Sequence, residues 1–124
     1  MYELNPANQE YQAAILSAAT FDLSGLPREY FLRVTGTHTI AWVQTIFQVL
    51  GVRSLLASSL RLEGFSHTIL RGSDYTALVV KQPNGYLAIL YEPDYQDLTN
   101  SSLTAWAKQL NSNQLKKDQN FQVV

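Results

Sequence analysis

Apolar residues between Thr37 and Ser58 recur at helical spacing, whereas those between Phe65 and Tyr91 alternate or run together as strands do. Ile40, Val43, Phe47 and Leu50 follow intervals of three, four and three, which places them on one helical face. Trp42, Ile46 and Val49 form a second stripe beside the first. So wide an apolar arc needs cover on two sides: its own sheet on one, and a second helix or another subunit on the other. A long helix is expected over about residues 37–58, opening after Gly36 with Thr37 as N-cap. Gly51 costs about 1 kcal/mol against alanine if the helix runs through it. Otherwise it ends a first segment, and Leu55, Leu56 and Leu60 belong to a second.

Three strands are expected after this helix, at about residues 65–71, 75–81 and 86–91. The last two are apolar on both faces, Ala77 and Val79 against Leu78 and Val80, then Ala88 and Leu90 against Leu87 and Ile89. Strands of that kind sit inside a sheet covered on both sides. Pro83-Asn84-Gly85 between them is a hairpin signal, because Asn-Gly readily adopts positive φ. The 65–71 strand alternates Ser66, Thr68 and Leu70 against Phe65, His67 and Ile69, and its mixed polarity suits a sheet edge.

Ahead of the long helix, Asn5-Pro6 opens a short helix that ends at about Leu16, with Tyr11 and Ile15 on one face. A strand from about Ala18, the turn Ser24-Gly25-Leu26-Pro27 and a strand over about residues 29–34 make a first hairpin. Beyond Glu92-Pro93, Ser101 or Ser102 can cap a last helix with Leu103, Trp106, Ala107 and Leu110 on one face. Residues 111–124 are polar and are expected to form a disordered tail behind a single domain at residues 1–110.

Composition narrows the function classes. The 124 residues suit one domain, and a net charge of -1 gives no electrostatic case for nucleic acid. No cysteine is present, which excludes disulfides and thiolate metal sites and fits a cytoplasmic protein. The N-terminus lacks the basic and apolar regions of a signal peptide, and no apolar run approaches the ~20 residues of a membrane span. No membrane insertion is therefore expected.

Chemistry-bearing patterns are sparse. His38 and His67 are the two histidines and have no zinc-ligand spacing. The serines include no Gly-x-Ser-x-Gly elbow, and Ser54, Ser58 and Ser59 read as the polar side of a helix. Asp22, Glu29, Glu63, Asp74 and Glu92 are scattered at turns and strand ends. No GxxxxGK or GxGxxG loop occurs, so no nucleotide or other cofactor is expected. Aromatic residues are more suggestive. Tyr75, Tyr86, Tyr91 and Tyr95 gather around the last two strands, and Trp42 lies on the second helix stripe, where a Trp can anchor a partner.

The order helix, hairpin, long helix, three antiparallel strands and last helix resembles the Roadblock/LC7 family over about residues 7–110. The points of likeness are the hairpin around Ser24-Gly25, the long central helix and the compact run from Phe65 to Tyr91. Pro27 must then stand at a strand start or edge. The resemblance implies an α+β fold. Its single five-stranded antiparallel sheet would carry a long central helix on one face and shorter terminal helices on the other. It also implies a homodimer formed by pairing the third strand edge to edge and packing the long helices. That would put Ser66, Thr68, Leu70 and Arg71 at the sheet edge and Trp42, Ile46 and Val49 at the helix pair.

Members of that family are non-enzymatic scaffolds, dynein light-chain adaptors or regulators of Ras-like GTPases, and bacterial members are often partnered with a small GTPase. The expected function is accordingly a non-enzymatic homodimeric regulator or scaffold for a small GTPase or another signalling protein. The alternative is a small-ligand sensor of PAS or profilin-like build, which needs an internal apolar cavity. An enzyme with a dispersed active site ranks below both, since no nucleophile–base pair is visible.

Overall fold

The computed structural model describes residues 6–35, 39–59 and 65–124. In chain order the elements begin with helix α1 (Pro6–Ala13), strands β1 (Ser17–Phe21) and β2 (Pro27–Arg33), and helices α2 (Ile40–Val49) and α3 (Val52–Ser59). Strands β3 (His67–Arg71), β4 (Thr76–Gln82) and β5 (Gly85–Tyr91) follow, then a 3-10 turn (Gln96–Thr99), helices α4 (Ser101–Gln109) and α5 (Ser112–Lys117), and strand β6 (Phe121–Val123). All strand pairs are antiparallel and form one sheet in the order β3-β4-β5-β1-β2-β6. The fold is α+β with a single antiparallel sheet, of six strands rather than the expected five.

Alternation along the central strands creates two cores. Ala19, Leu32, Ala77, Val79, Ala88 and Leu90 point to one face, where Val43 and Phe47 of α2 and Val52 and Leu56 of α3 cover them. Ala18, Phe31, Leu78, Val80, Leu87, Ile89 and Tyr91 point to the other, beneath Tyr11, Leu103, Ala107 and Leu115 from α1, α4 and α5. Every residue of β5 is buried, as a strand covered on both faces must be. Opposed pairs such as Ala77↔Leu90 and Leu78↔Ile89 keep each strand in register, because a one-residue slip would exchange the two cores.

Among the described residues no long central helix is present. Thr39, rather than Thr37 (which lies outside the described residues), is the N-cap of α2, its hydroxyl accepting from Trp42 N–H at 3.2 Å. Ten residues later the helix stops: Gly51 takes φ +77°, the left-handed conformation that suits glycine at a helix C-terminus. Leu55 N–H bonds to Gly51 carbonyl at 2.9 Å as α3 starts. The two helices are bent by 54°, so α2 and α3 wrap the sheet instead of crossing it as one rod. Among the described residues no single helix is long and apolar enough to cross a membrane.

The first hairpin is closed by Asp22, whose carboxylate accepts from Ser24 N–H at 2.9 Å, Ser24 hydroxyl at 2.5 Å and Leu26 N–H at 3.0 Å. The Ser24 hydroxyl, then the Leu26 amide, hold its carboxyl below the usual range. Pro27 occupies the first position of β2, where a missing N–H is tolerated. Asn100, not Ser101 or Ser102, caps α4 through a 2.8 Å bond from Ser102 N–H.

The segment expected to be a disordered tail is folded. Asn111 and Gln114 form a capping box that starts α5, and β6 pairs with β2 as the sixth strand. Leu115 and Phe121 are buried in the same core as α1 and α4. Three polar contacts dock the segment. Gln12 donates to Asp118 at 2.7 Å, Lys116 meets Glu29 at 2.9 Å, and the Arg33 guanidinium lies 4.8 Å from the Phe121 ring centroid. Arg33 also donates to Ile15 carbonyl at 2.5 Å and to Ala13 carbonyl, closing the end of α1.

Candidate functional site

Among the described residues strand β3 forms one edge of the sheet, with β4 as its sole neighbour in it. Its pairing parity follows from two bonds just beyond its ends. Lys81 N–H donates to Ser66 carbonyl at 2.9 Å, and Gly72 N–H donates to Tyr75 carbonyl at 2.9 Å. In an antiparallel ladder the bonded pairs alternate with non-bonded ones. Ser66, Thr68, Leu70 and Gly72 therefore turn their backbone groups inward to β4, while His67, Ile69 and Arg71 turn theirs outward.

The residues expected at this edge thus divide. Arg71 has outward backbone groups and an exposed side chain. Thr68 and Leu70 spend their backbone groups on β4, and Leu70 packs against the core beneath α2. Ser66 lies just before the strand, and its hydroxyl accepts from the Lys108 ammonium of α4. His67 and Ile69 were missed. Side-chain alternation does not reveal which alternate set bonds inward; the parity is fixed by the tight Gly72–Tyr75 turn, the one sequence signal that could have indicated it.

On α2, Val43 and Phe47 are buried, and Trp42 and Ile46 are half-buried against the same core. The Trp42 ring meets Tyr75 edge-on, with centroids 5.0 Å apart and planes at 88°. Val49 is 76% exposed. At the end of α2, a Cβ on Gly72 would lie 2.8 Å from Leu50 Cδ2, so this helix end sits directly over the turn that follows β3. The structure brings the Trp42–Ile46–Val49 flank and β3 to one side of the molecule. The second helical stripe faces the sheet margin, and only its last member stands clear of it.

The residues weighed for chemistry remain apart. His38 and Glu63 fall outside the described residues, and His67 is exposed on the edge strand. Among the described residues no three His, Asp or Glu side chains converge as a metal site would require. Ser54 and Ser58 are exposed on α3, whereas buried Ser17 donates to Phe31 carbonyl at 2.8 Å. Comparison with protein-family models and with curated proteins gives no match to this chain.

Proposed function

We propose that this protein is a non-enzymatic homodimeric scaffold of Roadblock/LC7 type that regulates a small Ras-like GTPase or another signalling protein by direct contact. The observation that carries this reading is the β3 edge. Outward N–H and C=O groups at His67, Ile69 and Arg71 lie beside the half-buried flank of α2. An open edge is a template for another strand. With a twofold axis at Ile69, two copies would set Ile69 opposite Ile69 and His67 of one copy opposite Arg71 of the other. The sheet would then extend to twelve strands, twice the six of one copy.

The two-faced helix arrangement supports the same resemblance. The sixth strand joins at the far side, beside β2, and leaves β3 with no second strand partner among the described residues. The break at Gly51 shortens the helix available for pairing to the ten residues of α2, about 15 Å. A GTPase seated on the paired α2 flanks would be regulated through differential binding of its two states. A difference of 1–3 kcal/mol shifts affinity about 5–150-fold.

Light scattering of the purified chain across a dilution series tests the dimer. Twice the monomer mass, persisting at low micromolar concentration and lost in Val49→Lys with unchanged circular dichroism, is the expected result. A monomer at every concentration overturns the reading. Co-purification with GTPases loaded with either nucleotide then tests the partner.

A further inference from the structure

His67, Ile69 and Arg71 of β3 lie on the face of the sheet covered by α4, and the middle one packs against that core. His67 and Arg71 stand exposed on either side of it. Among the described residues neither has a hydrogen-bond or ion-pair partner for its side chain.

The charges near His67 are positive. From α4, the Lys108 ammonium bonds the hydroxyl of Ser66, the residue before His67. On β4 the residue opposite is Val80, with Leu78 and Gln82 on the same face, while Lys81 alternates to the other. Arg71 shares the face of His67 four residues further along β3. Among the described residues the carboxylate nearest in sequence is Asp74, which belongs to the turn after β3. Gly72 N–H, donating to Tyr75 carbonyl at 2.9 Å, folds that turn back towards β4 and away from the open edge.

Pairing two copies about Ile69 adds one more cation. Each His67 then stands directly opposite the other copy's Arg71, on the same face, with Cα atoms about 5.5 Å apart as in any hydrogen-bonded antiparallel pair. A guanidinium has donors only, and a neutral imidazole can accept one of them through its unprotonated nitrogen. Protonated, the imidazole is donor-only too, and the contact becomes a pair of like charges. Like charges directly opposite each other destabilise a strand pair. Twofold symmetry makes the contact twice.

We propose that His67 makes the dimer acid-sensitive: the β3 edges pair while both imidazoles are neutral and separate once they are protonated. This rests on the dimer reading given above and names the condition that regulates it. Histidine changes charge between about pH 5 and 8. The separated chains hold protons that the dimer excludes, so association strengthens as pH rises, with up to two protons released per dimer, one from each His67. Acid also brings the net charge of -1 towards zero, which by itself favours association. Loss of the dimer in acid therefore runs against the bulk charge effect.

The test is sedimentation equilibrium of the full chain between about pH 5.5 and 7.5 at constant ionic strength, with circular dichroism to confirm the fold at each end. The dimer dissociation constant should rise about tenfold towards the acid end. His67→Gln should hold one dissociation constant across the range. Arg71→Glu should reverse the sign, giving a tighter dimer in acid, because the protonated imidazole then faces a carboxylate. A wild-type dimer indifferent to pH, an acid response kept by His67→Gln, or an unreversed response in Arg71→Glu overturns this proposal and leaves the dimer standing. A monomer at every pH overturns both.

Discussion

Trp42 meets Tyr75 edge-to-face, with ring centroids 5.0 Å apart, and so couples the first turn of α2 to the residue just before β4. The contact gives Trp42 a structural duty whatever else it does. Edge-to-face pairs contribute about 0.5–1.5 kcal/mol beyond simple burial. Trp42→Ala should therefore destabilise the fold by about 2 kcal/mol, roughly half the loss of a fully buried Trp. Val49→Lys, at an exposed helix C-terminus that favours a cation, should change monomer stability by no more than about 0.5 kcal/mol. Urea unfolding of both variants checks this. Equal losses would mean that Val49 is covered in solution by something other than a second copy, provided the chain remains monomeric.

Pairing parity on β3 separates two neighbouring prolines. The His67 N–H points away from β4, so His67→Pro removes no ladder bond and should cost about 1 kcal/mol or less. Thr68 sits opposite Val79 in a bonded pair, so Thr68→Pro removes one and should cost about 3 kcal/mol. Thermal denaturation compares them. His67→Pro should also abolish the dimer while keeping the fold, the outcome expected only if the outward groups pair with another strand. Similar destabilisation by both prolines would show that the parity is reversed or mixed.

Gly51 and Gly85 are needed for different reasons. Gly51 has φ +77° but open space around its missing Cβ, so Gly51→Ala should cost only the left-handed strain, about 1–2 kcal/mol. Gly51→Asn should recover part of that loss, because Asn tolerates this conformation. At Gly85 any Cβ would stand 2.0 Å from Phe21 carbonyl oxygen, and backbone must move to admit it. Gly85→Ala should therefore cost more than Gly51→Ala, and Gly85→Asn should recover nothing. Chemical denaturation of the four variants tests the ordering.

Much of this fold was legible because its signals are periodic. The doubly apolar runs around Leu78 and Ile89 announced inner strands, and the mixed run from Ser66 to Arg71 announced an edge. The helix break was legible as an alternative at Gly51, since one glycine cannot by itself tell a tolerated cost from a terminus. Residues 111–124 were not legible. A six-residue helix with one buried side chain, Leu115, and a three-residue strand anchored by Phe121 show no repeat to count. Their order comes from distant partners, Gln12, Glu29 and Arg33, whose proximity only the folded chain creates. At the candidate dimer edge, the sequence pattern selected the strand but, of the three residues whose backbone faces outward, only Arg71 and not His67 or Ile69.

Tyr91 is fully buried and stacks on Tyr95 with centroids 4.7 Å apart and planes at 13°, yet its hydroxyl has no hydrogen-bond partner among the described residues. Burial pushes its phenol up, and the neighbouring Tyr95 and Tyr11 phenols push in the same direction. A folded-state pKa above the unfolded one gives stability that is complete below the ordinary tyrosine value of about 10. Above that value the unfolded chain gives up a proton that the folded chain holds, so stability falls as pH rises. Tyr91→Phe removes both the unpaired hydroxyl and the titration. It should stabilise the protein by about 1 kcal/mol at neutral pH, and its advantage should widen above about pH 10. Urea midpoints measured across that range decide the matter: a Phe variant less stable at neutral pH would mean that the hydroxyl is bonded in solution, and parallel pH profiles would mean that another tyrosine governs the alkaline limb.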